Sequence, residues 1–410
     1  MNTLFVSVQR NLDIIALKYL HHYLLANGHE SHLLYLPEFN AKDAKANEAL
    51  TSFIQQLNPG LIGVSAMAID YGMAVAATEF FRLHAPGVPI VWGGILPTTA
   101  PEMCLRNADY VCIGEGEQTI LDMVNALERD EPLTNVRNLC FYEGETLRKN
   151  PLYPLIENLD LLPVVARISP NSYVHAKGAI RPVDSNLLRR YQRWAGGFYK
   201  IMTSRGCPYA CAYCCNNFLR KIYGQWKVRR RSVDNIIEEL EKALLDYPSL
   251  ALIDFSDDCF LSCDMDYLRE FCRKYKARIA LPFIAKGMPR SFTKEKLDLI
   301  TDAGLAWANM GLQSGSDRVC REIYDRNSMP EDFLKAARLI NKFPVAVYYD
   351  VIVDNPYENM DDFVKTMNVL MEIPRPFQLF IPSLCFFFGT DLYERYSLEY
   401  PEKKEECAAK

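Results

Sequence analysis

The chain has 410 residues, 49% of them hydrophobic and 24% charged, with a net charge of −5. That length suits two domains of roughly 100–200 residues each, and the acidic balance gives a nucleic-acid partner no general electrostatic support. The N-terminus "MNTLFVSVQRNLD" has no basic stretch ahead of a long apolar one, and no window approaches ~18 unbroken apolar residues, so neither a secretion signal nor a membrane span is expected.

Residues 1–130 read as alternating strands and helices. The apolar run "TLFVSV" leads to "IIALKYLHHYLLANG", whose apolar residues recur at helical spacing until Gly28. Strands follow at "ESHLLYL", "LIGVSAM", "PIVWGG" and "ADYVCIG", with helices through "EALTSFIQQLNP", "YGMAVAATEFFRLHAP" and "QTILDMVNALER". This is the pattern of an open, flavodoxin- or Rossmann-like parallel α/β sheet, which binds ligands at the carboxyl ends of its strands. Those ends carry Ser65, Gly93, Gly94 and the "GEGE" run Gly114, Glu115, Gly116, Glu117.

Residues 131–198 read as a connector, rich in Pro and polar residues, with one hairpin expected in "NLCFYEGETLRKNP". A second alternating series covers 199–396, with strands at "YKIMTS", "LALIDFS", "RIALPFIA", "AWANMGLQ", "VAVYYDVIV" and "FQLFIPSLCFF". Six βα units predict a partial barrel with its chemistry at the strands' C-terminal ends. Residues 397–410 form a short tail.

Four of the 13 cysteines fall within "CPYACAYCC", just past the first strand of the second series. With no secretion signal the expected compartment is the cytoplasm, where thiols serve as buried apolar groups, metal ligands or catalytic groups more than as disulfides. Cys207, Cys211 and Cys214, spaced C-x3-C-x2-C, suit three corners of a [4Fe–4S] cube whose fourth iron takes an outside ligand. A structural zinc site would need a fourth ligand, and the loop offers no obvious partner pair. Cys215 is expected to point away from its neighbour. Cys104, Cys112, Cys140, Cys259, Cys263 and Cys272 lack ligand spacing and read as core.

"SRGCPYACAYC" resembles the cluster motif of the radical S-adenosylmethionine (SAM) enzymes. "YGQWKVRRRSVDNIIEEL", "LALIDFSDDCF", "MGLQSGSDRV", "DVIVDNPYEN" and "FFFGTDLYERY" are similar, in order, to later segments of the branch with an N-terminal cobalamin-binding domain. "VWGGILPTTAPEMCLRNADYVCIGEGEQTI" and "PLIENLDLLP" resemble that domain and its connector, so the resemblance covers nearly the whole chain. It implies a cobalamin-binding sheet followed by a partial (β/α)6 radical SAM barrel.

The resemblance further implies three cofactors: a [4Fe–4S] cluster, SAM and cobalamin. Cys207, Cys211 and Cys214 would ligate the cluster, and the backbone of Tyr213 would meet the adenine. Asp257 or Asp258 would accept from the SAM ammonium. Gln313, where the branch usually has Glu, and Ser314 would lie near the ribose, and Arg326 near the SAM carboxylate. Ser65, Gly93, Gly94, Gly114, Glu115 and Gly116 would border cobalamin, which has no His ligand in the "SVQRNLDIIAL" loop; Leu96 stands where the branch often has His. The plain structural alternatives are a solvated strand end for the two aspartates and a surface position for Arg326. For the run Lys227-Val228-Arg229-Arg230-Arg231 they are a solvated face or a partner for acidic groups near the cluster.

The leading expectation is an enzyme that cleaves SAM reductively to a 5′-deoxyadenosyl radical and methylates an unactivated carbon. The first alternative uses the same cofactors for a cyclisation, ring contraction or rearrangement. A methylthiotransferase ranks lower, because Cys104, Cys112 and Cys140 do not fit the spacing of a second cluster; a sensor module ranks last. Expected partners are a small-molecule, lipid or peptide substrate and a flavodoxin- or ferredoxin-type electron donor. No general acid or base is identified. Tyr173, His175, Arg181, Tyr191, Arg193 and Trp194 of the connector are candidates to line a substrate mouth.

Overall fold

The computed structural model describes residues 1–192, 196–224 and 227–403, so Arg193 and Trp194 lie outside the described residues. The chain divides into two compact units. Among the described residues the first holds Met1–Ile156 and Leu161–Gly196, and the second holds Glu157–Asp160 and 197–403.

The first unit runs β1 (Asn2–Ser7), α1 (Ile15–Ala26), β2 (Glu30–Tyr35), α2 (Ala44–Leu57), β3 (Leu61–Ser65), α3 (Tyr71–His84) and β4 (Ile90–Gly93). It continues through α4 (Ile95–Thr99), α5 (Pro101–Cys104), β5 (Tyr110–Cys112) and α6 (Glu117–Glu128). Its core order β5-β4-β3-β1-β2 is parallel throughout. That is the flavodoxin-type order, with its switch point between β1 and β3. Phe5, Leu33, Leu61 and Val91 form its apolar core with Leu17 and Leu24 of α1 and Met123 of α6.

Within the stretch read as a connector, two hairpins extend this sheet at both edges. β6 (Leu139–Glu143) pairs antiparallel with β5 and with β7 (Thr146–Lys149). β8 (Ser172–Ala176) runs parallel to β2 and turns back as β9 (Ala179–Pro182) before α7 (Ser185–Tyr191). The first hairpin is the one expected from the sequence; the second is not, although its strands are of the same length. Of the other mouth candidates, Tyr173 and His175 lie on β8, Arg181 on β9 and Tyr191 on α7.

The second unit opens with β10 (Phe198–Ile201), β11 (Ser204–Arg205), α8 (Cys215–Tyr223), β12 (Arg229–Arg230), α9 (Val233–Asp246) and β13 (Leu252–Phe255). Then come α10 (Met265–Arg278), β14 (Phe283–Gly287), α11 (Lys294–Ala303), β15 (Leu305–Gln313), α12 (Pro330–Ile340), β16 (Ala346–Val351), α13 (Met360–Glu372), β17 (Gln378–Phe380) and α14 (Asp391–Glu399). The sheet β10-β13-β14-β15-β16-β17 is parallel and follows chain order, as six successive βα units require. Side-chain caps start its helices: Ser232 on α9, Asp264 on α10, Thr293 on α11, and the Asn359/Asp362 capping box on α13. Phe255 centres the core, its ring 4.9–6.0 Å from those of Phe260, Phe271, Tyr275 and Phe283.

Candidate functional site

The thiol loop sits where β10 ends. β11 and β12 form a short antiparallel pair, Ser204 opposite Arg230 and Arg205 opposite Arg229. Gly206 then turns the chain at φ 99°, a conformation that favours glycine, directly before Cys207. Further along the loop, the Ala212 N–H donates to the Tyr324 carbonyl at 2.8 Å, and the Ala212 carbonyl accepts from Leu392 N–H at 3.0 Å. The segment "FFFGTDLYERY" therefore closes over the cluster motif. Gly389 in it packs so tightly that a Cβ there would lie 2.3 Å from the Phe218 ring.

Cys211 is buried, and Cys207, Cys214 and Cys215 are half-buried. Burial pushes the Cys207 thiol up to about 12 and raises that of Cys211, against which the nearby Arg326 charge works. Cys214 is held below the ordinary thiol range, chiefly by a hydrogen bond from the Cys215 thiol. Cys215 thus bonds its neighbour's sulfur instead of pointing away, because Cys214 is the extended cap and Cys215 the first residue of α8. Three thiols on one loop beside a buried guanidinium that offsets thiolate charge have the donor chemistry of an iron–sulfur cluster, although among the described residues no three Cys, His, Asp or Glu side chains are grouped closely enough to hold a single metal ion.

The two neighbouring aspartates do different work. Asp257 is fully buried and accepts from Thr203 N–H at 3.0 Å, from the Thr203 hydroxyl, and from the Ser204 hydroxyl at 2.5 Å. Its carboxyl, raised by burial, fastens β11 to the end of β13. Asp258 stays exposed at the rim, yet the protein around it raises its pKa; Asn216 and Lys286 oppose that shift. Of the two residues only Asp258 is exposed, and its carboxylate accepts from the Asn216 side chain and the Gly206 backbone.

Arg326 is 4% exposed. It donates to the Tyr213 phenol at 3.1 Å and to the Gly311 carbonyl, while its Nε is buried without a partner. The Tyr213 ring packs edge-on against Tyr324, 4.9 Å between centroids. Gln313 has φ 67°, and its side-chain oxygen is buried without a partner. The Ser314 hydroxyl is taken up in donating to Glu358 at 2.7 Å, which ties the end of β15 to the turn before α13.

In the basic run Lys227 is exposed, but the arginines are packed into the second unit, with the Arg230 charge near the Asp257 carboxyl. Arg229 and Arg231 are buried, and Arg231 pairs with Glu239 at 2.6 Å. Arg230 donates to Ser262 at 2.6 Å and lies over the Tyr267 ring.

In the first unit, Ser65 pairs in register with Ser7 and with Gly93 at the carboxyl end of the sheet. The Ser7 hydroxyl is buried without a partner. Gly94 turns at φ 109°, and a Cβ there would come within 3.1 Å of the Ala66 carbonyl. The Gly114 N–H donates to Thr98 at 3.0 Å. An orphaned hydroxyl and a tight glycine turn at the switch point fit a bulky ligand lying against backbone. Glu115 and Gly116 also pack into the frame. The Glu115 carboxylate accepts from Ile156 N–H at 3.2 Å, and a Cβ on Gly116 would lie 3.4 Å from Leu20.

A cavity of about 480 Å³ lies at the opposite, N-terminal ends of β15, β16 and β17, lined by Trp307, Tyr348 and Phe377 among others. It does not include any of the thiols.

The Radical SAM superfamily profile matches residues 201–370, and the B12 binding domain profile matches residues 1–124. The chain belongs to the cobalamin-binding radical SAM enzymes. The cofactors of that pair of domains are a [4Fe–4S] cluster, SAM and cobalamin.

Among curated proteins this radical SAM enzyme is similar to an uncharacterized methyltransferase of Pyrococcus horikoshii, 24% identical over 91% of this chain and 76% of the relative. An anaerobic magnesium-protoporphyrin IX monomethyl ester cyclase of Cereibacter sphaeroides is 22% identical over 79% of this chain; the match spans about half, 51%, of that cyclase. A cytidylyl-2-hydroxyethylphosphonate methyltransferase of Streptomyces wedmorensis is 25% identical over 68% of this chain and 54% of its own length. In fold it matches the radical SAM methyltransferase TsrM from Kitasatospora setae, solved with tryptophan substrate and a SAM analogue. The TM-score is 0.78 at 19% identity, covering 97% of this chain and 76% of that one. The cobalamin-dependent enzyme OxsB matches with a TM-score of 0.72 at 17% identity, over 99% of this chain and 56% of that one. Of these curated relatives two are named methyltransferases and one a cyclase, and the chain spans about half the length of two of the three. Among the described residues no helix is long and apolar enough to cross a membrane.

Sequence reasoning missed Thr203, which bonds Asp257, and the residues Lys286, Asn309 and Asp350. For the last three a signal was available: strand alternation aims them at the barrel's inner face.

Proposed function

We propose that this enzyme methylates an unactivated carbon of its substrate, with SAM as the source of both the methyl group and the 5′-deoxyadenosyl radical. The observation that carries the reading is the thiol loop, tied down by Asp257 and Ala212 beside a buried Arg326 that has an unused donor. Bound there, the cluster supplies the electron that cleaves SAM, and cobalamin supplies a carrier for the methyl group. Cys207, Cys211 and Cys214 hold the cluster. Arg326 takes the SAM carboxylate, Asp258 its ammonium and Gln313 the ribose; Tyr213 and Ser314 lend backbone. Ser65, Gly93, Gly94 and Gly114 border cobalamin, and Glu115 and Gly116 shape that edge by packing.

A buried arginine with a free N–H is suited to a carboxylate, because a charge-assisted bond satisfies a donor otherwise left dry. Domains at 1–130 and 199–396, joined by 131–198, and a flavodoxin- or ferredoxin-type reductant complete the proposal. The methyltransferase names among the relatives support methyl transfer, while the cyclase name supports cyclisation as the second reading.

The test is anaerobic reconstitution with iron, sulfide and hydroxocobalamin. Iron and cobalt are counted for wild type and Cys211→Ala, and label is then traced from [methyl-13C]SAM in the presence of reductant. Four irons and one cobalt per chain, 5′-deoxyadenosine, and a labelled product are expected. Deoxyadenosine with product but no transferred label would favour cyclisation or rearrangement; full iron in Cys211→Ala would overturn the cluster assignment.

A further inference from the structure

Along the strands of the second unit, Tyr199, Phe255, Ala285, Ala308 and Tyr349 pack in the apolar core beneath the helices. Alternation therefore turns their neighbours Lys200, Asp254, Lys286, Asn309 and Asp350 to the inner face of the sheet. Barrel interiors are usually filled by branched apolar side chains. This one carries charge.

Two of these charges are not matched by contact. Lys286 stands opposite Asn309 in register, and among the described residues its ammonium makes no hydrogen bond or ion pair. Asn309 donates to one oxygen of Asp350 at 3.0 Å, which leaves the other oxygen open. The Lys286 charge acts through space on both Asp350 and Asp258 without reaching ion-pair contact with either. A buried or half-buried cation and anion that face each other across a gap gain most from a ligand bearing the complementary pair.

We propose that this layer recognises the substrate: Lys286 takes a carboxylate, and Asp350, oriented by Asn309, accepts a hydrogen bond from a hydroxyl or ammonium on the adjoining carbon. The inference rests on the preceding reading, in which SAM occupies Arg326 and Asp258 nearer the thiol loop. Arg326 meets the SAM carboxylate there, which leaves the Lys286 charge for a second ligand. SAM also carries an ammonium beside a carboxylate, so the two ligands share chemistry and the experiment has to separate them.

The probes are L-lactate and its neutral counterpart L-lactamide, titrated by NMR into the reconstituted enzyme, with the SAM Kd measured on the same samples. Lactate is expected to bind at least tenfold more tightly than lactamide. Lys286→Gln should erase that preference, Lys286→Arg should keep most of it, and the exposed-site control Lys294→Gln should leave it unchanged. The SAM Kd should stay within twofold in every variant. Equal binding of the two probes to wild type, or an unaltered preference in Lys286→Gln, would overturn the proposal. So would a tenfold loss of SAM affinity in Lys286→Gln, which would assign the lysine to SAM. A wild-type chain that binds no SAM would instead overturn the preceding reading, and the lactate preference would still decide this one.

Discussion

Thr203 gives Asp257 both its backbone N–H, at 3.0 Å, and its hydroxyl, and the carboxylate that receives them is fully buried. Three residues separate Thr203 from the first cysteine of the cluster motif, so the position of that cysteine depends on this contact. Removing the carboxylate strands several buried donors and leaves Arg230 without its nearby negative charge. Asp257→Ala should therefore cost about 3–5 kcal/mol and lower iron per chain after reconstitution, with Asp257→Asn less severe on both counts. Urea unfolding of the apo-protein and iron counts check this; unchanged iron in Asp257→Ala would refute the positioning role.

Arg231 and Glu239 form a pair at 2.6 Å, with side chains only 5% and 2% exposed, and Glu239 also accepts from the Tyr199 hydroxyl at 2.7 Å. Breaking one side of a buried pair is worse than replacing both. Arg231→Met alone should destabilise by about 3–5 kcal/mol, and the double change Arg231→Met, Glu239→Leu should recover most of the loss. A double variant no more stable than the single one, in denaturant titration, would contradict this.

Gly315 sits between the end of β15 and α13, where a Cβ would fall 2.4 Å from the Thr366 Cα and 2.8 Å from the Lys365 carbonyl. Backbone cannot swing aside as a side-chain tip can. Gly315→Ala should cost about 1–3 kcal/mol or more, whereas Gly72→Ala, with nothing within 4 Å, should be nearly neutral. Paired melting curves distinguish the two.

Asp362 is held at about 2, below its ordinary 3.8, first by its bond from Arg318 and then by Ser316 and the Asn359 backbone. A depressed carboxylate stabilises the fold above its unfolded pKa, and that contribution fades as pH falls through the folded value. On the order of 2 kcal/mol should be lost between about pH 4 and pH 2, and Arg318→Gln should flatten that slope. The check is the urea midpoint against pH for both proteins; equal slopes would count against the assignment.

The thiol loop was legible because its signal is local: three cysteines at fixed spacing after a strand. The division of labour between Asp257 and Asp258 was not, since adjacent residues at a strand end differ only in which side they face. Thr203, the partner that decides it, lies 54 residues away. The basic run was legible only in part: Arg230 does lie near an acidic group, Asp257, but the burial of its neighbours was not visible. Composition records charge, and burial depends on Glu239, which sits on the next helix. The parallel order of both sheets followed from alternating strands and helices. The hairpin of β8 and β9 was not legible, because its place is set by parallel pairing with β2, far away in the chain.

The clamp on the thiol loop consists wholly of protein groups: a carboxylate, two hydroxyls and a two-residue strand pair. The strand-side wall of the iron seat is therefore shaped when the polypeptide folds, and the entropy of ordering it is charged to folding and not to metal capture. Cluster assembly becomes a late insertion into a standing frame, unlike the metal-driven folding of a zinc finger. Loss of the cluster to oxygen should leave a folded apo-protein ready to be rebuilt.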